Sequence, residues 1–251
     1  VLDYVDQYEQ EVGKKLRKDF SEKLELFEEA LDILAECINE KRLGHPDLFK
    51  DLAIKAYTEL DSKTICFAVT SFSLGEALNR LFASRRLFLC GYVSRALASA
   101  RDAIESAMVA DVCRNSIEKA KKWSECKQIK LTKNYDYHKA LSWELWGIAQ
   151  SIMSPLGTHA YMQAAYLSSL PQQAMLSNDK ETKHLYEDQM AFVLRRLLLR
   201  CMQLMLYIRS CYRDSISDIT KFNQLINKIG VICQKEEAQI PLDELLLEKG
   251  K

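Results

Sequence analysis

Leu2, Val5, Val12, Leu16, Phe20, Leu24, Phe27, Leu31, Leu34 and Ile38 recur every three or four residues, with one gap around Tyr8. That is the period of one apolar face of an α-helix, and a sequence that keeps it over some forty residues is committed to helix. Tight turns, which sheets need in number, are scarce: the 251 residues contain only eight Gly and four Pro. Leu, Ala, Glu and Lys, all strong helix formers, fill the space instead. The chain is therefore read as all-α, an elongated bundle of about seven to eight helices, several of them long.

Boundaries follow from the punctuation. Residues 1–44 read as one long acidic N-terminal helix, ended by Gly44 and spanning about 60 Å over forty residues. Such a rod is longer than a compact domain of this size, so a homodimer to which it contributes is expected. Pro46 opens a second helix running to Asp61 and Ser62, where a break or a kink is expected. A third runs from about Thr64 to Phe88, and a fourth from Gly91 to about Arg114. Asn115 to Glu118 has the outline of a capping box before a short basic helix carrying Trp123. Residues 134–153 follow as another helix, broken by "SPLGTH". A short helix after Thr158 is expected to stop near Leu170, where Pro171 interrupts. Asn178 to Glu181 offers a capping box for a long helix to about Tyr212. Ser217 or Asp218 caps the last, to about Glu237, and 238–251 is a charged tail. No linker, low-complexity run or fixed-period repeat divides the chain, so 1–251 is read as a single domain.

Charge balances globally, with 35 basic and 35 acidic side chains, so nothing pulls the whole chain onto nucleic acid or an anionic membrane. Locally, residues 1–40 carry twelve acids against five bases, net −7, and residues 114–133 carry seven bases against two acids, net +5. These are read as two solvated faces that attract one another, and nucleic acid stays open only through 114–133. The eight cysteines, at 37, 66, 90, 113, 126, 201, 211 and 233, form no CxxC pair and no Cys/His zinc spacing. No metal site or other cofactor is expected, and free thiols place the chain in the cytoplasm. No signal peptide is visible at the start, and Arg195, Arg196 and Arg200 interrupt the most apolar run, which argues against a membrane span.

The fourth helix, "GYVSRALASARDAIESAMVAD", is the unusual one. Val93, Ala96, Leu97, Ala100, Ala103, Ile104, Ala107 and Met108 share one face, with Arg101 and Glu105 side by side at its edge. The alanines invite another helix to approach closely, so this pair is read as buried at a helix junction. Losing one partner there would cost about 3–5 kcal/mol. "GY" followed by "AL", then "ARDAIE", with a later "Y…LS" and a downstream Ser and His, resembles an uncharacterised family of long-helix microbial proteins, a domain of unknown function. The resemblance spans residues 75–165 and implies Gly91, Tyr92, Arg101, Glu105, Tyr135, Leu141, Ser142, Ser154 and His159 as the positions to watch. It implies no activity. His159 opens a helix, where the dipole disfavours imidazolium.

Sharper chemistries fail on spacing. Helical ribonucleases of the HEPN type place Arg four to six residues before His, and no His here has that partner. Di-iron bundles need two Glu-x-x-His pairs, and "ETKH", Glu181 to His184, is a single copy. No GxSxG or phosphate-binding glycine loop is present. The expected function is thus a non-catalytic helical binding protein, taking a protein partner or a small polar ligand near Tyr92, Arg101, Glu105, Ser154 and His159. The alternative is an HEPN-like RNA-directed enzyme or toxin, favoured if the basic segment 114–133 faces the same cleft as Arg101.

Overall fold

The computed structural model describes residues 2–39, 61–114, 116–125, 162–177, 179–213 and 216–237. Among them are eight helices and no strand: α1 (Leu2–Asp19), α2 (Ser21–Asn39), α3 (Ser62–Leu89), α4 (Val93–Arg114), α5 (Ile117–Ser124), α6 (Met162–Leu176), α7 (Lys180–Cys211) and α8 (Ile219–Glu237). The all-α class is as expected. The helices expected over 46–61 and 134–153, and the tail 238–251, lie outside the described residues. No described helix is long and apolar enough to cross a membrane.

The first forty residues are not one straight rod. Phe20 stands between α1 and α2, yet its amide donates to Leu16 at 2.9 Å and its carbonyl accepts from Leu24 at 3.0 Å, so the chain bends without looping. Arg17 Nη1 lies 3.2 Å from Glu28 Oε1. Eleven residues of straight helix would separate those positions by about 16 Å, more than the two side chains can bridge. The Phe20 ring sits edge-on to Tyr186 of α7, centroids 5.9 Å apart. The bend is thus set by a tertiary contact, to which apolar periodicity is blind. Each half is only about 27–29 Å long, and the length argument for a homodimer goes with the rod.

The acidic face of α2 finds its cations on α3 and α8. Glu28 accepts from Arg85 Nε at 2.8 Å and from Arg85 Nη2, and Lys228 Nζ lies 3.9 Å from Glu29. Burial pushes the Glu28 pKa up, but the hydrogen bonds and charges of Arg85 and then Arg17 outweigh it and hold the carboxyl below its usual range. Of the basic segment 114–133, the described helix α5 packs on α3 and α4, and residues 126–133 lie outside the described residues.

Helices α3 and α4 make the most extensive contact in the described fold, an antiparallel hairpin. Its turn needs a glycine. Gly91 has φ 83°, its amide donates to Phe88 at 2.9 Å, and the Tyr92 amide donates to Leu87 at 2.8 Å, the paired bonds of a Schellman stop. Small residues then let the backbones close up, and hydroxyls bridge them: Ser84 Oγ to the Ala96 carbonyl at 2.8 Å, Ser99 Oγ to the Arg80 carbonyl at 2.8 Å, Thr70 Oγ1 to the Ala110 carbonyl at 3.4 Å. From Ser84 back to Thr70 is fourteen residues, and from Ala96 on to Ala110 is fourteen more, so one register holds along the hairpin. Helix α1 closes over the turn, where a Cβ on Gly13 would stand 3.1 Å from the Leu89 carbonyl oxygen.

Most of the core is one cluster to which α7 contributes Tyr186, Met190, Leu194, Leu197, Leu204 and Ile208, packed against α2, α4, α6 and α8. Three charges lie within it. Arg195, Arg196 and Arg200 are all buried. Arg195 and Arg196 stack on the Phe192 ring at 5.5 and 4.9 Å from its centroid, and Arg200 Nη1 donates to Gln203 Oε1 at 2.6 Å. Residues read from sequence only as obstacles to a membrane span are therefore interior.

Three other boundaries need correction. The α5 cap is Ser116, one residue after Asn115, accepting from the Lys119 amide at 3.4 Å. The α7 cap is Asp179 rather than Asn178, accepting from the Thr182 amide at 2.8 Å. Pro171 does not stop α6, which continues to Leu176. Leu170 and Ala174 are buried on either side of it, and that packing outweighs the amide donor that proline lacks.

Candidate functional site

Toward the open end of the hairpin, away from Gly91, a cleft of about 610 Å³ lies between α3, α4 and α5, lined by Phe72, Ser73, Glu76, Arg80, Asp102, Glu105, Ser106, Val109 and Trp123. The hairpin register places Glu76 and Arg80 of α3 opposite Asp102 and Glu105 of α4. Trp123 comes from α5. It rests, with Val109, on a second small cluster formed by Ile65, Cys66, Val69, Cys113 and Ala120, which fixes the indole at the edge of the cleft. One apolar support and one helix register thus build the site.

The charges in it interlock. Arg80 Nε lies 2.6 Å from Glu76 Oε1, and Arg80 Nη1 lies 3.8 Å from Asp102 Oδ2. Arg101 Nη2 lies 2.8 Å from Glu105 Oε1, with a second bond from Arg101 Nε at 2.9 Å. Burial, then the charge of Glu105, raises the Asp102 pKa above the usual aspartate value, and Arg80 and Arg101 offset this only in part. Ser106 Oγ donates to its own helix at the Asp102 carbonyl, 3.0 Å away. The Ser73 hydroxyl, by contrast, is buried with no hydrogen-bond partner.

The expected positions divide. Arg101 and Glu105 are paired as expected, but their side chains keep 26% and 40% of their surface exposed. The expected burial is thus wrong: the alanine face packs against the bundle, and the pair at its edge still reaches water. Glu105 lines the cleft, and Arg101 acts on it through Glu105. Tyr92 is elsewhere. Thirteen residues, or about 20 Å of helix, separate it from Glu105, and at the hairpin turn its hydroxyl pairs with Glu9 of α1. Ser154, His159, Tyr135, Leu141 and Ser142 lie outside the described residues. Sequence reasoning missed Ser73, Glu76, Arg80 and Asp102, which become neighbours only once α3 is folded back along α4.

The basic helix α5 does border the cleft, the arrangement named above as favouring RNA. What it places there is Trp123, whereas Lys121 and Lys122 are exposed away from the lining, and Lys122 pairs with Glu118 at 2.6 Å. Three lining carboxylates would repel a phosphate backbone. "ETKH" is a surface feature: His184 and Asp188 lie 3.6 Å apart with side chains 77% and 62% exposed. Among the described residues no three His, Cys, Asp or Glu side chains are placed so that they could hold a metal ion. Cys66, Cys90, Cys113 and Cys201 are free thiols. Burial pushes Cys113 up to about 12, with Cys66 adding to it, so these thiols pack as small protonated hydrophobes. Comparison with known proteins finds no matching family model, no matching curated protein and no matching solved structure.

Proposed function

We propose that this chain is a non-catalytic helical binding protein whose ligand seat is the cleft between α3, α4 and α5. One observation carries the reading: a concavity of about 610 Å³ combines an apolar side, Phe72, Val109 and Trp123, with converging polar groups from two helices. Small-molecule sites have this composition and occupy about 300–1,000 Å³. Ion pairs that reach water can exchange partners when a ligand arrives, at little cost to the fold.

The test is a thermal-shift screen of small polar compounds against the native protein and two cleft-filling variants, Val109→Trp and Ser106→Leu. A ligand at a hundred times its dissociation constant adds about 2.7 kcal/mol of stability, which is readily seen. The expected result is a compound that raises the native melting temperature and leaves at least one folded variant unmoved. If every stabilising compound acts equally on the native protein and both variants, this reading fails.

A further inference from the structure

The cleft has a chemical bias that its volume does not express. Its lining carries three carboxylates, Glu76, Asp102 and Glu105, against one guanidinium, Arg80. With Arg101 counted at the rim, the carboxylates still lead three to two. Arg80 is divided between Glu76 at 2.6 Å and Asp102 at 3.8 Å, and the second distance is too long for a hydrogen bond. Asp102 therefore lacks a close cation from α3. It also lies one helix turn from Glu105, so two negative groups of α4 face the same space.

A second observation is independent of the charges. Ser73, only 2% exposed, borders the cleft with its hydroxyl bonded to nothing. A serine inside a helix ordinarily back-bonds to a carbonyl a turn earlier, as Ser106 does. A buried hydroxyl without a partner costs stability, and a donor supplied by a ligand removes that cost. Trp123 and Phe72 add aromatic surface of the kind that accepts cations and covers aliphatic stems.

Resting on the cleft reading of the preceding subsection, we infer that the ligand is an alkylammonium: a primary or secondary amine on a methylene stem. Its ammonium sits between Asp102 and Glu105, one N–H reaches Ser73 Oγ, and the stem lies along Trp123. An anion would meet the carboxylates, and a neutral polyol would bring Asp102 no positive charge beyond Arg80, 3.8 Å away, and Arg101. The unfavourable environment of the Asp102 carboxylate, from burial and then from Glu105, is relieved by the same ammonium. The chemistry is shared by free polyamines and by a lysine side chain on a peptide.

Isothermal titration calorimetry with spermidine, with a short blocked lysine peptide, and with tetramethylammonium, glucose and glycerol phosphate as controls tests this. One or both amines are expected to bind with unit stoichiometry, spermidine alone indicating a free polyamine and the peptide alone a protein-borne lysine. Tetramethylammonium, which cannot donate to Ser73, should bind at least tenfold more weakly. Asp102→Asn and Glu105→Gln should each weaken amine binding by about tenfold to a hundredfold, the range for a charge-assisted bond. Folding is a separate readout. Because the folded Asp102 pKa is raised, its contribution to stability is present at low pH and lost as pH rises through the folded value. Asp102→Asn should then melt no lower than the native protein at neutral pH. If a control compound binds and is blocked by Val109→Trp while neither amine binds, the amine inference is overturned and the cleft reading survives. If no compound binds in a manner that Val109→Trp blocks, both fall. Amine binding unchanged in a folded Asp102→Asn and a folded Glu105→Gln also overturns the inference.

Discussion

The hairpin of α3 and α4 and the long helix α7 treat arginine in opposite ways. On the hairpin, Arg80 and Arg101 lie at the edge of a face of small residues, each bonded to a carboxylate and in reach of water. On α7, Arg195, Arg196 and Arg200 run through a face of leucines and are buried, stacked on Phe192 or bonded to Gln203. Alanine and serine bring helix axes together and push long side chains to the edge, whereas leucine and methionine hold axes apart and leave room for a guanidinium inside. Hairpin guanidiniums therefore keep contact with water, and α7 guanidiniums are parts of the interior.

Three experiments break or sharpen that contrast. The largest effect belongs to α7: Arg200→Ala removes one of the largest fully buried side chains and should cost about 3–5 kcal/mol in urea unfolding. Arg200→Met, which keeps the volume and removes the charge, should lose much less. Equal losses would show that charge rather than packing is what the interior needs. Next comes the hairpin's turn. Gly91→Ala sets a Cβ at φ 83°, 3.1 Å from Val12 Cγ1 and 3.3 Å from the Tyr8 hydroxyl, and should cost at least about 1–2 kcal/mol. An unchanged midpoint would mean that the turn can relax and does not set the register. The smallest effect belongs to Arg101. Arg101→Met combined with Glu105→Leu in a double-mutant cycle should give a coupling of only about 0.3–0.5 kcal/mol, that of an exposed i,i+4 pair. A coupling above about 2 kcal/mol would restore the buried pair and erase the contrast with α7.

Local signals carried much of the fold. The α-helical period gave the class, Gly91 marked the break between α3 and α4, and the caps of α5 and α7 fell within one residue of Asn115 and Asn178. Each of these depends on residues near one another in the chain. The bend at Phe20 was not legible, because it answers to Tyr186, more than 160 residues away. Neither was the burial of Arg195 and Arg200, since a charged residue in an apolar run reads equally as an interruption or as interior. For the cleft, the spacing of Arg101 and Glu105 on one helix gave their pairing, and of the two only Glu105 is in the lining. Ser73, Glu76, Arg80 and Asp102 were not found, although folding the sequence back at Gly91 and counting equal steps along both arms would have placed Glu76 and Arg80 beside Asp102.

Equal steps along both arms make the cleft a matter of chain length as much as of residue type. Substitution at Ala98, on the partly exposed side of α4, changes one side chain and leaves the neighbouring levels in place. Insertion of a single residue there turns everything after it by about 100° and advances it by about 1.5 Å. Asp102 and Glu105 would swing away from Arg80 and Trp123, and Ala110 from Thr70, while the Ser84 bridge to Ala96 stayed intact. Between Thr70 and Ala110, drift at partly exposed positions outside the turn and the cleft lining is compatible with the site, but insertions and deletions are not unless they come in matched pairs, one on each arm.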